Sequence, residues 1–331
     1  MTFTKSRASK LAEFLSYLGN GNIHVNQRTI RRKVSFKGVG LHSGKQVRCT
    51  IHPALPGHGI VFMRSDIRSM PHIRADISKV LRTDLSTTIG CADGTSVSTV
   101  EHLLAALHGL GIDNALVEVD AAEVPIMDGS SLEFAEGITD VGVKEHNISR
   151  KVLRLRRNIS VRHGDKFIHA TPAKQLTISG SIEFKHRLIG AQSYSFTHGA
   201  HFLDEIAGAR TFGFLREVEY LHKKGLALGG SLENAIVLDE ERVLNANGLR
   251  FDDEFVRHKV LDALGDFALL GLPLEANVQI HKSGHELHAG FLRKILEDSS
   301  NYEIVELKAT RSIEQVTEEI ASGFASEAYS F

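Results

Sequence analysis

The sequence predicts an α+β protein made of two similarly built domains, with helices layered on β-sheets and an active site between the domains. The chain has 331 residues, which is long enough to bury two hydrophobic cores. Segments with the two-residue alternation of strands are interspersed with segments that have helical periodicity. The order strands, helix, strand, helix occurs once in each half, which is typical of two α+β units.

The predicted organisation has four parts, with a boundary near residues 147–150. Residues 202–228 have no counterpart in the first half, so we expect an insert there that adds a wall to the site. Apolar side chains at helical spacing between residues 11 and 18 indicate a terminal helix. The four parts are an N-terminal extension (1–26), a first domain (27–148), a second domain (149–305) and a C-terminal tail (306–331).

The first half begins with strand material around a glycine-rich turn at residues 38–44, where glycine permits a tight change of direction. Asp93-Gly94 is a hairpin turn signal. Val100, Leu103, Leu104 and Leu107 then recur at helical spacing, up to Gly109. The predicted elements are strands at 34–36, 47–51 and 85–89, a helix from about 100, a strand at 115–119, and a loop at 125–130 before a second helix.

The second half repeats this order. Its strands are rich in β-branched residues, and a turn is expected at His163-Gly164-Asp165. A long helical pattern precedes another buried strand, and a further helix is expected after Gly284. The predicted elements are strands at 152–155, 159–170 and 176–184, a helix at about 253–270, a strand at 276–280, and the final helix.

The composition is that of a globular protein, with 42% hydrophobic and 24% charged residues and a formal net charge of -1. This charge gives no net field for nucleic acid, so a nucleic-acid partner is not expected. Two cysteines cannot form a disulfide framework, which favours a reducing cytoplasm. No apolar run approaches the ~20 residues that cross a bilayer, so we expect no stable membrane insertion.

Two distant segments contain the residue types of a catalytic metal site. His258 and Asp262 are four residues apart, so they would project from one face of a helix. His102 could complete a set of three ligands, leaving one position of a zinc ion open to water. Glu101, next to His102, could take a proton from that water. The pattern indicates metal-assisted hydrolysis.

Each of these residues also has a structural interpretation. Ser98-Thr99-Val100-Glu101 fits a capping box, in which Glu101 only binds the N-terminus of its own helix. His258 and Asp262 could form an exposed i,i+4 pair, or a buried salt-bridge network that includes Lys259. His285, after Ser283-Gly284, could be a turn residue, or it could protonate a leaving amine or stabilise an oxyanion.

Several longer motifs, all in one order, resemble the zinc-dependent UDP-3-O-acyl-N-acetylglucosamine deacetylases of lipid A biosynthesis. Together they extend along residues 29–296, which is most of the chain, and this makes the resemblance specific. The motifs are GVGLHSG (38–44), STVEHLLAALHGLGIDN (98–114), PIMDGS (125–130), ARTFGF (209–214), LRFDDEFVRHKVLDALG (249–265) and SGHEL (283–287).

The resemblance implies removal of the N-acetyl group from a UDP-linked acylated amino sugar, which is the committed step of lipid A biosynthesis, by a cytoplasmic monomer. It implies a Zn²⁺ cofactor bound by His102, His258 and Asp262, with Glu101 as general base and His285 as general acid. Thr211 would hold the oxyanion, and Asp266 would orient His285. Residues expected near the phosphates or the sugar are Lys166, Lys259 and Lys282, and those lining a passage for the acyl chain are Phe212, Leu215 and Val218.

One residue departs from the pattern expected of the family, since His288 stands where asparagine is expected. Three other functions remain open on the residues alone. The first is a zinc amidohydrolase that acts on another acylated amino sugar. The second is a nucleotide-sugar binding protein with a structural zinc, and the third is a protein without metal, in which the same polar residues form a salt-bridge network.

Overall fold

The computed structural model describes residues 25–199 and 201–308, and it confirms the predicted α+β class. The helix predicted between residues 11 and 18, and most of the predicted C-terminal tail, lie outside the described residues. Within the described ranges, no helix is long and apolar enough to span a membrane. The helices are α1 (Glu101–Gly109), α2 (Leu132–Val141), α3 (Phe202–Glu205), α4 (Leu215–Lys223), α5 (Glu254–Phe267) and α6 (His285–Leu296).

The strands form sheets that largely follow the two halves of the chain. In the first half they are β1 (Asn26–Ile30), β2 (Val34–Val39), β3 (Gln46–Pro53), β4 (Ile60–Arg64), β5 (His72–Arg74), β6 (Val80–Arg82), β7 (Thr88–Gly90), β8 (Ser96–Val97), β9 (Ala115–Val119) and β10 (Val143–Ser149). In the second half they are β11 (Lys151–Leu155), β12 (Ile159–His163), β13 (Lys166–Pro172), β14 (Thr177–Glu183), β15 (Ala191–Thr197), β16 (Phe212–Phe214), β17 (Ile236–Leu238), β18 (Leu274–His281) and β19 (Tyr302–Glu306).

A five-stranded sheet in the order β2-β3-β9-β4-β5 supports the first half. Its central strand β9 alternates as the sequence predicted, with Ala115, Val117 and Val119 fully buried. Every residue of α1 is also buried, so this short helix runs through the interior rather than over the surface. Because the helix is buried on all sides, it has no solvent-facing side of polar residues, and its amphipathic pattern is weak.

A seven-stranded sheet supports the second half, with β18 between the antiparallel β13 and the parallel β14. Helix α5 lies directly on β14. A Cβ atom added at Gly180 of β14 would lie 2.6 Å from the Val260 side chain of α5, so only glycine allows the helix to approach this closely.

The two halves meet where α1 packs against α5. A Cβ atom added at Gly265 of α5 would lie 2.0 Å from the Glu101 carbonyl oxygen of α1, which is far inside van der Waals contact. The backbones of the two helices therefore touch, and the first turn of α1 is held against the last turn of α5. This contact brings the residues of the two distant motifs together.

A second contact joins the halves on another side. The glycine-rich turn between β2 and β3 forms the predicted hairpin, since β2 and β3 pair antiparallel. The amides of Leu228 and Gly229, which follow α4, donate to the carbonyls of His42 and Leu41 in this turn, at 3.2 and 3.0 Å. The predicted insert at 202–228 therefore contains α3, β16 and α4, and its end packs against the first half.

The strand predicted at residues 85–89 was wrong in its first part. Leu85 and Thr87 precede β7, and Leu85 has a φ of 62°, which is incompatible with extended backbone. The amide of Thr87 donates to Glu101 Oε2 at 3.0 Å instead of to a neighbouring strand. The domain limits remain a prediction; the one placed after residue 148 falls within the last residues of β10.

Candidate active site

His102, His258 and Asp262 form a compact buried group at the contact between α1 and α5. Asp262 Oδ1 lies 3.5 Å from His102 Nε2 and 3.4 Å from His258 Nε2. A tetrahedral ion with bonds of ~2.1 Å would space its ligand atoms by roughly 3.4 Å. The three ligand atoms therefore have the spacing of atoms that surround one ion, whereas hydrogen-bonded atoms would be closer.

The tautomer of His258 is suited to metal binding. Its Nδ1 donates to the carbonyl oxygen of Ala209 at 3.1 Å, so Nε2 carries the lone pair that faces Asp262. Burial lowers the pKa of His258 to about 3, despite the nearby carboxylate of Asp262. The ring is therefore neutral at physiological pH, which is the form that binds metals.

Asp262 is ionised and one of its oxygens is unsatisfied. Burial opposes its charge, but His258 and Lys259 hold the pKa of its carboxyl well below the ordinary value. Lys259 Nζ donates to Oδ2 at 2.7 Å, while Oδ1 has no hydrogen-bond partner within the described residues. A buried carboxylate oxygen without a partner is costly, and a cation shared with the two histidines would satisfy it.

Glu101 lies at the start of α1, beside this group, and is buried. The alternative interpretation of Glu101 as part of a capping box does not hold, because α1 begins at Glu101 itself and its carboxylate accepts the Thr87 amide at 3.0 Å. This bond occupies Oε2, and Oε1 lies 3.8 Å from His285 Nε2. Burial raises the pKa of Glu101, although His285 and His102 oppose the shift.

His285 is the first residue of α6 and lies on the other side of Glu101. Its Nδ1 donates to Asp266 Oδ2 at 2.8 Å, which leaves Nε2 directed toward Glu101. Burial opposes protonation, but the carboxylates of Asp266 and Glu101 raise the pKa of His285 to about 10. The ring is therefore protonated at neutral pH, and the proton on Nε2 is available to an acceptor.

Asp266, His285 and His288 form a second group whose donor atoms are close enough to hold a metal ion. The contacts within this group are ordinary hydrogen bonds, since Asp266 Oδ2 lies 2.8 Å from His285 Nδ1 and 2.7 Å from His288 Nδ1. The polar atoms involved are paired with one another. The geometry therefore favours the first group as the metal site.

A small cavity of about 30 Å³ lies between the metal group and the proton-transfer residues. Thr211 lines it from within the insert, directly before β16, and its amide donates to the Gly129 carbonyl of the PIMDGS loop at 2.7 Å. The cavity is lined by Leu41, His42, Leu85, Ser86, Thr99, Glu101, His102, Thr211, His258, Lys259, Asp262 and His285.

Of the residues predicted to line a passage for the acyl chain, Phe212 has a ring contact with the metal group. The ring of Phe212 packs against Phe255 at 5.0 Å and lies 6.4 Å from the ring of His258. Leu215 and Val218 follow on α4, where Leu215 is 49% exposed. Only Phe212 of these three is next to the metal group, and the passage itself remains a prediction.

The lysines predicted to lie near the phosphates or the sugar differ in their surroundings. Lys282 Nζ binds the carboxylates of Asp165 and Glu183 at 2.9 and 2.7 Å. Lys166 is at the same end of the sheet, because Phe167, the next residue, pairs with His281. Lys259 binds Asp262 within the metal group. Contact of any of the three with substrate remains a prediction.

Sequence reasoning missed two residues of the site. Thr87 connects Glu101 with Asp266, the partner of His285. Its amide binds the Glu101 carboxylate, and its Oγ1 donates to Asp266 Oδ1 at 2.6 Å. His42 lines the cavity, and the carboxylate of Glu123 holds its amide at 2.8 Å. A histidine inside a glycine-rich turn was a usable signal for His42, whereas nothing local distinguishes Thr87.

Comparison with known proteins identifies the family. Residues 27–297 match the family described as UDP-3-O-acyl N-acetylglycosamine deacetylase. The chain belongs to this family. The predicted resemblance is therefore confirmed, and the chain is a deacetylase of the amidohydrolase type.

Individual members of the deacetylase family are similar along most of their length. The UDP-3-O-acyl-N-acetylglucosamine deacetylase of Myxococcus xanthus is 52% identical over 281 residues, covering 85% of this chain and 89% of the relative. That of Nitratidesulfovibrio vulgaris is 51% identical over 284 residues, covering 86% and 92%. That of Campylobacter fetus is 44% identical over 302 residues, covering 91% and 100%.

Proposed function

We propose that this chain hydrolyses the N-acetyl group of UDP-3-O-acyl-N-acetylglucosamine, releasing acetate for lipid A biosynthesis, with zinc bound by His102, His258 and Asp262. The family membership supports the reaction, and the donor set supports the metal. Two imidazole nitrogens and one carboxylate oxygen are typical of catalytic zinc sites, which keep a position open. The observation that carries the assignment is the unpaired Asp262 Oδ1, at 3.4 and 3.5 Å from the two imidazole nitrogens.

A zinc ion in this position supplies Lewis acidity to the amide carbonyl and to water. The Lewis acid alone moves no protons, so the neighbouring side chains must do so. Thr211 lines the same cavity and is suited to donate its hydroxyl to the oxyanion as the carbonyl is attacked.

Glu101 acts as the general base through Oε1. Its other oxygen is occupied by the Thr87 amide, which fixes the orientation of the carboxylate. Burial raises its pKa, and this makes it a stronger base than a solvated glutamate while leaving it able to receive a proton.

His285 acts as the general acid through Nε2. Asp266 binds its Nδ1 at 2.8 Å, which fixes the ring and stabilises its protonated form. In this form His285 first places a positive charge beside the oxyanion and then gives its Nε2 proton to the departing amine.

We infer that the protein acts in the cytoplasm and as a monomer. Both cysteines are free, which is consistent with a reducing compartment. The metal ligands and both proton-transfer residues come from one chain, so a second copy is not needed to complete the site.

The test is acetate release from the acylated UDP-sugar together with metal content. We expect wild-type protein to release acetate and to contain one zinc per chain. Glu101→Gln should keep the metal and lose turnover by about 10²–10⁴-fold, because it removes only the proton acceptor. His258→Ala should lose both metal and turnover. Acetate release by Glu101→Gln at the wild-type rate would contradict the base assignment.

A panel of other acylated amino sugars, offered to the same enzyme, separates this reaction from a related amidohydrolase activity. We expect turnover to require the UDP group. Equal turnover of a substrate without the nucleotide would favour the alternative.

A further inference from the structure

Asp266 is the acceptor for three side chains at once. Its Oδ1 accepts the Thr87 hydroxyl at 2.6 Å, and its Oδ2 accepts from His285 Nδ1 at 2.8 Å and from His288 Nδ1 at 2.7 Å. All of these contacts are within hydrogen-bond distance. The carboxylate is buried, so these three donors account for its solvation.

The shared oxygen determines that Nδ1 of each ring carries a hydrogen. An ionised carboxylate can only accept hydrogen bonds, so Nδ1 of His285 and Nδ1 of His288 each carry a hydrogen. The remaining nitrogen of His288 lies 2.9 Å from Ser283 Oγ, and a hydroxyl can either donate or accept. The His288 ring is buried and packs edge-on against Phe267 at 5.8 Å. His288 is therefore fixed by hydrogen bonds at both nitrogens.

We propose that His288 is a positioning residue of the deacetylase, which anchors Asp266 and takes a share of its Oδ2 away from His285. The proposal rests on the proposed function, since it concerns the delivery of the His285 proton. With one oxygen divided between two donors, Asp266 holds the proton of His285 less tightly than an unshared carboxylate would. The same sharing prevents the carboxylate from rotating away from His285.

Other titratable groups around His285 also affect its proton, so the contribution of His288 has to be isolated by substitution. Among these groups only Asp266 is hydrogen-bonded to His288, and a change at position 288 leaves the others in place. The groups are Glu101 on α1, Asp262 and Asp266 on α5, and His42 in the turn between β2 and β3.

The test uses two amides that each replace one nitrogen of the ring. In His288→Asn the amide nitrogen takes the place of Nδ1 and keeps the bond to Asp266. In His288→Gln the longer side chain reaches the place of Nε2, which keeps the bond to Ser283 and leaves Asp266 Oδ2 to His285 alone. Both substitutions are polar and smaller than or close to histidine in volume.

The measurements are kcat, KM and the pH dependence of kcat/KM for acetate release, with melting temperature and zinc content as controls. We expect His288→Asn to stay within about twofold of wild type. We expect His288→Gln to lose about tenfold in kcat with KM nearly unchanged, the size of effect typical of residues that orient a functional group. Its alkaline limb should also move to higher pH, because His285 then keeps its proton longer.

Three results would overturn the proposal: wild-type behaviour of both variants, equal losses in both, or a larger loss in His288→Asn. If His288→Gln does not fold, His288→Asn decides, since a loss beyond about twofold contradicts the proposal and activity within that range supports it. Failure of wild-type protein to release acetate would instead contradict the proposed function, so the two failures are distinguishable.

Discussion

At the scale of single residues, the site depends on a carboxylate and an imidazole that face each other. Glu101 Oε1 and His285 Nε2 are 3.8 Å apart, so the charge of each favours the charged form of the other. Burial acts against both charges, and it dominates for Glu101, whose pKa rises. For His285 the carboxylates prevail and the pKa rises to about 10.

The resulting pH dependence is a prediction. Glu101 must be ionised and His285 protonated, so kcat/KM should fall as pH drops through the raised pKa of Glu101. It should fall again as pH rises through the pKa of His285, on the alkaline side of neutrality. The measurement is kcat/KM for acetate release across pH, with each limb fitted separately.

Asp266→Asn is the matched control for the alkaline limb. Asparagine keeps a hydrogen-bond acceptor for His285 but removes the negative charge that raises the pKa of His285. The alkaline limb should therefore move to lower pH while the acidic limb stays in place. An unchanged alkaline limb in Asp266→Asn would rule out His285 as its source.

The residues that sequence reasoning found are those whose geometry is local. His258 and Asp262 are one helical turn apart, so their common face follows from helix geometry. For Glu101 a capping box was the alternative to a catalytic role, and spacing alone could not decide between them, because the partner of its carboxylate, Thr87, is 14 residues away and is brought near only by the tertiary fold. The bond from Thr87 to Asp266 joins residues 179 positions apart, and no spacing rule detects such a pair.

At the scale of elements, the contact between α1 and α5 decides whether the metal ligands meet. Gly265→Ala would add a methyl group 2.0 Å from the Glu101 carbonyl, and relief requires the helices to move apart. We expect a loss of about 1–3 kcal/mol in the free energy of unfolding, with weaker metal binding because His102 moves away from Asp262. Urea unfolding and zinc affinity are the measurements.

Gly290→Ala is the control for this substitution. Gly290 lies within α6, and a Cβ atom there would meet nothing within 4 Å. Alanine should stabilise the helix by about 0.5–1 kcal/mol and leave zinc affinity unchanged. If Gly265→Ala behaved like Gly290→Ala, the close helix contact would not be needed.

The C-terminal end of α1, which contacts the same part of α5, should respond to acid. His108 of α1 donates Nδ1–H to the Leu264 carbonyl of α5 at 3.1 Å, and His198 donates Nε2–H to the His108 carbonyl at 2.8 Å. Burial lowers the pKa of His108 to about 3 and that of His198 to about 4. Both rings are therefore neutral in the folded protein.

The sign of the stability change follows from proton binding. Below the ordinary pKa of 6.5 these two histidines are protonated in the unfolded chain but stay neutral in the folded protein. The unfolded state therefore binds more protons, and the free energy of unfolding should fall as pH falls. Each histidine contributes at most about 1.4 kcal/mol per pH unit. His108→Asn keeps the donor to Leu264 but cannot titrate, so urea unfolding between pH 6.5 and 4 should show a shallower decline. An identical decline in the variant would contradict this.

The elements that were predicted correctly have strong local patterns. The β2–β3 hairpin, β9, β18 and α6 have alternating or helical patterns next to a glycine or turn signal, and α1 and α5 are apolar segments with helical spacing. Strands such as β16 and β17 have only three residues each and pair with each other across the insert. Their sequences are too short to establish a period, so their existence depends on tertiary pairing.

At the scale of the whole molecule, the two-half architecture was predictable from the repeated order of elements, but the way the halves join was not. The interface between the halves depends on Gly265 of α5 and on main-chain hydrogen bonds from residues 228 and 229 to the turn between β2 and β3. Neither leaves a pattern in the sequence. The motifs indicated which side chains share a site, and the packing of α1 on α5 explains how they come to share it.

The proposed hydrolysis depends on one divalent ion bound between α1 and α5. The most direct test is a crystal structure of the purified protein with anomalous diffraction recorded at the zinc absorption edge. We expect one strong peak at about 2.0–2.2 Å from His102 Nε2, His258 Nε2 and Asp262 Oδ1. A protein that is active in acetate release but lacks this peak, or that places it at Asp266, His285 and His288 instead, would contradict the account.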